Sequence, residues 1–78
     1  MLIVRKEQDI NFLKLFGQNL KRIRISKDFT QEYLANDLNI EISQISRIER
    51  GLINTSIINV KKIADSLKID IKDLFDFK

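Results

Sequence analysis

The ionisable side chains limit the chemistry that this sequence of 78 residues supports. It contains no His and no Cys, which rules out Ser–His and Cys–His catalytic pairs and removes the commonest metal ligands. A catalytic role would therefore rest on carboxylates, lysines or Tyr33. Asp70, Asp73 and Asp76 lie close together in the sequence, but a two-metal nuclease needs carboxylates that converge in a cleft. We interpret Asp70 and Asp73 as helix caps and predict no enzymatic activity, no metal site and no cofactor.

Amide, hydroxyl and guanidinium side chains form a second group, concentrated between residues 31 and 54. These are the donors with which proteins bind nucleic-acid phosphates and read base edges. Residues 14–27 are net basic and contain no acid. The whole chain has 14 Lys and Arg against 11 Asp and Glu, so its net charge is only +3. Several acids lie toward the C-terminus. A dipolar arrangement, basic on one face and acidic on the opposite one, would suit nucleic-acid binding, but the charges alone do not establish it.

Regular breaks divide the chain into helices, and no segment predicts a strand. The first helix runs from about Asp9 to Ser26, since Leu13, Phe16, Leu20 and Ile23 recur at helical spacing. Gly17 lies inside this stripe, which favours close packing of another backbone there; the alternative is a glycine that arose by sequence drift. The later helices are delimited by caps and stops: Thr30 and Asn39 for the second, Ile42 and Arg50 with Gly51 for the third, Ser56 for the fourth, and Asp70 for the fifth.

Together these elements predict an all-α fold, a compact bundle of five short helices. The expected inward positions are Leu34, Ala35, Leu38, Ile45, Ile48, Ile57, Val60, Ile63, Ala64 and Leu67, with Ile71, Leu74 and Phe75 as apolar contacts of the last helix. We predict one domain over residues 1–78, of which residues 1–9 form a short N-terminal extension.

Residues 31–50 predict two short helices joined by a tight turn. Ala35 is small enough to lie where the two helices cross, and Asn39 tolerates the positive φ that ends the first of them. This is the layout of a helix-turn-helix, in which the second helix is free to enter the major groove of DNA.

The sequence also resembles the Xre-type, lambda-repressor-like family of DNA-binding domains, and its size is similar to that of restriction-modification controller proteins. The matching segments are FGQNLKRIR at 16–24, TQEYLA at 30–35, ISRIERG at 45–51, NTSI at 54–57, KIADSL at 62–67 and DLF at 73–75. They cover nearly the whole chain after about Ile10. Two positions depart from the family pattern, because Asn39 stands where the family often has Gly and Thr55 where it often has Pro.

The resemblance places the third helix in the major groove and implies roles for individual residues. Base contacts are expected from Ile42, Ser43, Gln44 and Arg47, and phosphate contacts from Gln31, Ser46, Arg50 and Asn54. Arg47 could donate two hydrogen bonds to guanine, whereas Ile42 could only contact a thymine methyl group. The sequence also allows alternatives without a role in DNA binding: Ile42 as a core residue, Arg47 as a solvated charge, and Gln31 as an ordinary first-turn residue. The resemblance further implies a structural salt bridge between Arg24 and Glu49.

These observations predict a sequence-specific transcriptional regulator that binds double-stranded DNA, as a repressor or as an activator. A small core and few base contacts per domain favour a homodimer on a palindromic operator. The expected dimer contacts are Ile58, Leu74, Phe75 and Phe77. The alternative is an antitoxin-like or other protein-interaction module of the same fold. No apolar run reaches the ~20 residues of a membrane span, so we predict a cytoplasmic protein with no membrane partner and no evident small-molecule effector.

Overall fold

The computed structural model describes residues 6–77 and shows a helical bundle. Its elements are α1 (Glu7–Ser26), α2 (Gln31–Leu38), α3 (Ile42–Glu49), α4 (Ile57–Leu67) and a C-terminal 3₁₀ helix (Ile71–Phe75). No strand occurs between residues 6 and 77. The all-α prediction is therefore confirmed, although the last element is a 3₁₀ helix and α1, with 20 residues, is long rather than short. Residues 7–9 of the predicted extension belong to α1, and residues 1–5 lie outside the described part of the chain.

The predicted cap residues set the ends of the helices. The hydroxyls of Thr30 and Ser56 each accept a hydrogen bond from the backbone N–H three residues on, at 3.0 and 3.1 Å. Asn39 ends α2 in the left-handed conformation, with φ 58°. Asp70 and Asp73 form a capping box at the start of the 3₁₀ helix, which satisfies N–H groups that a helix start leaves unpaired. These two carboxylates therefore act as caps, as the sequence predicted.

The core lies where α1, α2, α3, α4 and the 3₁₀ helix meet. The large side chains that are completely buried are Leu20, Leu34, Ile45, Ile63, Leu67 and Leu74. One predicted core position is wrong, since Ile57 is 78% exposed. It occupies the first position of α4, and burial in that helix begins only at Val60.

A close approach of α1 to the C-terminal end of α3 depends on two glycines. A Cβ on Gly17 would lie 2.4 Å from the carbonyl oxygens of Ile48 and Glu49, far inside contact distance. A Cβ on Gly51, which has φ 74°, would lie 2.7 Å from the backbone of Lys14. The close packing predicted at Gly17 is thus confirmed, and it places the basic α1 beside the end of α3.

Candidate nucleic-acid interface

The exposed side of α3 carries the predicted base-contact residues. Ser43, Gln44 and Arg47 are exposed, whereas Ile45 and Ile48 on the opposite side are 0% and 2% exposed. Ser43 and Arg47 are four residues apart, so they share one side of the helix. The three residues between α2 and α3 and the outer side of α3 line a shallow surface hollow of about 470 Å³. This arrangement leaves polar and guanidinium donors free to reach base edges in a major groove.

Ile42 belongs to the same exposed surface. Its side chain is 48% exposed at the first position of α3. The alternative that it is a core residue beside Ile45 is therefore wrong. An exposed isoleucine at this end of α3 offers an apolar contact and no hydrogen bond, which restricts any role in base reading to contact with a methyl group.

Arg24 of α1 and Glu49 of α3 form a buried ion pair. Arg24 Nε donates to Glu49 Oε2 at 2.6 Å, and Arg24 Nη2 donates to Oε1 at 3.1 Å. The two side chains are only 9% and 2% exposed. Arg24 Nη1 also donates to the carbonyl oxygen of Phe29 at 2.7 Å. The pair thus connects α1, the turn before α2, and the end of α3.

Gln31 joins this network from the first position of α2. Its Nε2 donates to Glu49 Oε1 at 2.9 Å. An amide nitrogen carries two N–H donors, and the second makes no hydrogen bond within residues 6–77. Gln31 is half-buried, so its remaining donor is held in place at the N-terminus of a helix, where N–H groups and the helix dipole favour an anion.

A polar groove of about 540 Å³ runs beside this network. Three predicted phosphate contacts lie in it, namely Gln31, Ser46 and Arg50. The fourth, Asn54, lies away from them on the rim of a different, apolar groove. The sequence prediction missed the contribution of α1, whose Lys14, Gln18 and Lys21 form the other wall. Their spacing of four and three residues was the available signal, because it places all three on one side of a helix.

The apolar groove, of about 250 Å³, lies between α1, α4 and the 3₁₀ helix. Its walls include Phe12, Phe16, Ile53, Ile57, Val60 and Phe75. Among the predicted dimer contacts, Ile58 is 61% and Phe75 44% exposed, and Phe77 is half-buried. Leu74 is wrong as an interface residue, because its side chain is completely buried in the core of the single chain.

The C-terminal phenylalanines pack first within their own chain. The rings of Phe75 and Phe16 have centroids 5.1 Å apart, and those of Phe77 and Phe12 are 5.4 Å apart. Such pairs favour tilted arrangements of this kind. The aromatic end of the chain is therefore explained in part by packing on α1, and only its remaining exposed surface is available to a partner.

Two further features bear on the kind of site present. Within residues 6–77, no helix has both the length and the apolar character needed to cross a membrane. In the same range, no three acidic side chains come together closely enough to hold a metal ion.

Comparison with known proteins shows the family of this chain. Residues 20–74 match the model of the HTH_3 helix-turn-helix family. The chain belongs to this helix-turn-helix family. It is 44% identical over 68 residues to the Control protein C.BamHI of Bacillus amyloliquefaciens, a match that covers 86% of this chain and 84% of that protein. It is 37% identical over 68 residues to the Control protein C.MunI of a Mycoplasma species, covering 85% and 92% of the two chains.

A solved structure of a similar protein has the same fold as this helix-turn-helix chain. The restriction-modification controller protein C.AhdI from Aeromonas hydrophila superposes with a TM-score of 0.79 at 38% identity, covering 81% of this chain and 96% of that one. The chain is therefore a helix-turn-helix, DNA-binding transcriptional regulator of the controller-protein type. The resemblance noted from the sequence segments is confirmed, and α2 and α3 are the two helices of the motif.

Proposed function

We propose that this regulator binds a palindromic operator as a homodimer and controls the expression of restriction-modification genes. The observation that carries the proposal is the exposed side of α3, where Ser43, Gln44 and Arg47 stand clear of a core that Ile45 and Ile48 anchor. The similar structure of C.AhdI, which is named as a restriction-modification controller protein, supports the choice of target genes.

Specificity in this proposal comes from α3 in the major groove. Arg47 donates two hydrogen bonds to O6 and N7 of a guanine, Ser43 and Gln44 bond to neighbouring base edges, and Ile42 contacts a thymine methyl group. Affinity comes from the phosphate backbone. Gln31, Ser46 and Arg50 supply these contacts from one polar groove, and Asn54 supplies a further one from the loop before α4.

A homodimer gives the small domain enough contact with DNA. One copy of α3 reaches only a few base pairs, whereas two copies related by a twofold axis read half-sites about 34–36 Å apart. Ile57, Ile58 and Phe75 are large apolar side chains that this single chain leaves 78%, 61% and 44% exposed. Exposed apolar surface of this kind marks association sites, and we assign it to the second copy.

The test is binding of the purified protein to the DNA upstream of its own gene, measured at several salt concentrations. We expect the upstream duplex to bind much more tightly than a random duplex, with a steep loss of affinity as salt rises. A duplex that keeps only one half-site should bind weakly. Equal affinity for random and upstream DNA would contradict the proposal, and equal affinity for one and two half-sites would contradict the dimer.

The antitoxin-like alternative gains no support from the three relatives described above, since none of them is named as an antitoxin. Two statements stay predictions: that the protein represses transcription, and that it is cytoplasmic. A reporter gene placed behind the upstream DNA decides the first of these, because repression lowers its expression when the protein is present.

A further inference from the structure

We propose that Lys14 and Lys21 of α1 hold a backbone phosphate of the operator in the polar groove between α1, α2 and α3. This inference rests on the proposed function, because the phosphate belongs to the duplex whose major groove receives α3. It extends the DNA surface beyond the helix-turn-helix to the helix that precedes it.

The groove exists because α1 lies unusually close to the end of α3. Gly17 leaves room for the carbonyl oxygens of Ile48 and Glu49, which a Cβ would approach to 2.4 Å. Gly51 leaves room for the backbone of Lys14, which a Cβ would approach to 2.7 Å. The two glycines therefore bring one side of α1, with Lys14 and Lys21, to the same groove as Arg50.

The charges of the groove are unbalanced in favour of cations. Within residues 6–77, Lys14, Lys21 and Arg50 have no acidic partner, since the ion pairs there are Arg24–Glu49 and Lys61–Asp65. The one carboxylate in the groove is Glu49, and it is buried and already neutralised by Arg24. Three unpaired cations thus face solvent around a single polar hollow, which attracts an anion.

The donors around the groove suit a phosphate in particular. Gln31 keeps one amide N–H that is not used within residues 6–77, and it lies at the N-terminus of α2. Ser46 adds a hydroxyl and Gln18 an amide. Charged and neutral donors combined in this way are those that proteins use on DNA phosphates. In the proposed complex α3 fills the major groove. The polar groove lies beside the C-terminal end of α3, so it would meet the sugar–phosphate backbone and not the bases.

The experiment compares the full-length double variant Lys14→Gln and Lys21→Gln with a control, Lys62→Gln and Lys72→Gln. Both variants lose two positive charges at exposed positions, but the control residues lie on α4 and the 3₁₀ helix, outside the groove. Affinity for operator and random duplexes is measured between 50 and 200 mM salt. Each phosphate contact that is lost removes about 0.9 from the salt slope, so it changes affinity by about threefold to fourfold across this range.

We expect the groove variant to lose about one to two units of slope, to weaken operator and random DNA by the same factor, and to unfold at the temperature of the parent. The control variant should keep the parental slope. Operators that carry a single uncharged methylphosphonate then locate the contact. At one position this substitution should weaken binding by the parent but not binding by the groove variant.

The inference would be overturned by equal salt slopes for the two variants. It would also be overturned if no methylphosphonate position distinguished the parent from the groove variant. Specific binding by the parent would still support the proposed function in either case. If inorganic phosphate at millimolar concentration protects the parent against thermal unfolding but the two slopes are equal, the groove binds small anions and not the operator. A parent protein that binds no upstream DNA specifically would overturn both proposals.

Discussion

The side-chain nitrogen of Gln31 lies 2.9 Å from Oε1 of Glu49, the carboxylate that Arg24 also holds. A predicted phosphate contact on α2 is therefore attached to a buried ion pair between α1 and α3. Glu49 already fixes the Gln31 side chain through one N–H, and the other N–H points away from the ion pair. Binding of a phosphate therefore costs little side-chain entropy, because the side chain is immobilised beforehand. The same carboxylate holds α1 to α3 and fixes a side chain of the candidate DNA surface.

Arg24→Ala should lower the free energy of unfolding by about 3–5 kcal/mol, because it leaves the buried Glu49 carboxylate without its charged partner. The measurement is urea unfolding followed by circular dichroism. Lys61→Ala is the matched control. It breaks an ion pair whose two side chains are each 60% exposed, and such a pair contributes about 0–1 kcal/mol. An Arg24→Ala protein as stable as the parent would contradict the structural role of this pair.

Gln31→Ala should weaken binding to operator and random DNA by a similar factor, while unfolding stability changes by no more than about 1 kcal/mol. Glu49 keeps both hydrogen bonds from Arg24 in this variant, so the fold loses little. The measurement is fluorescence anisotropy with both duplexes. Asn36→Ala, an exposed change on the same helix, should alter neither property. A loss confined to the operator would instead assign Gln31 to base reading.

Arg47→Ala should reduce the preference for operator over random DNA by about 1–3 kcal/mol, because a bidentate contact to guanine is lost. Arg50→Ala is the control for removal of a positive charge at the end of the same helix. It should weaken both duplexes alike and lower the salt slope by about one unit. If both variants weaken the two duplexes equally, Arg47 contacts phosphate and reads no base.

Gly17→Ala should destabilise the protein, although Gly→Ala inside a helix normally adds about 1 kcal/mol of stability. The new Cβ would meet two backbone carbonyl oxygens of α3 at 2.4 Å, and backbone cannot move aside as a flexible side chain can. We expect a loss of about 1–3 kcal/mol, the usual cost of overpacking. Asn11→Ala, at an exposed position of α1, should leave stability unchanged or raised. A stabilised Gly17→Ala protein would show that α1 and α3 are not this close.

Ile58→Asp should weaken self-association, because it places a charge in the apolar surface assigned to the second copy. Analytical ultracentrifugation at tens of micromolar should show a dimer for the parent and a monomer for the variant. Ile25→Asp is the control, since Ile25 is 54% exposed but lies on α1 outside the apolar groove. Identical association of the two variants would remove Ile58 from the interface.

Local patterns predicted most of the fold, because each depends on neighbours in the chain. The hydroxyl caps Thr30 and Ser56, the left-handed Asn39 and the capping aspartates are all formed by residues within four positions of one another. The same reliance on local patterns explains why the prediction of Ile57 as a core residue is wrong. Helical spacing gives the direction of a side chain, but whether anything covers the first turn of α4 depends on elements far away in the sequence.

The candidate site was predicted in part. The exposed side of α3 follows from its helical period once Ile45 and Ile48 are assigned inward. The groove that adds Lys14 and Lys21 did not follow, since their place beside Arg50 depends on how α1 crosses α3. Leu74 shows the converse, because an apolar residue near the chain terminus does not reveal whether it packs on its own core or on a partner.

The sequence by itself determined the helix-turn-helix, the donor chemistry of α3 and the family, since these depend on residue types and short spacings. Only the tertiary structure decided that Glu49 is shared by Arg24 and Gln31, and that α1 forms a wall of the polar groove. The physical reason is that two glycines, Gly17 and Gly51, allow backbones distant in sequence to touch. The distances created there are a property of the packed chain and not of any segment of it.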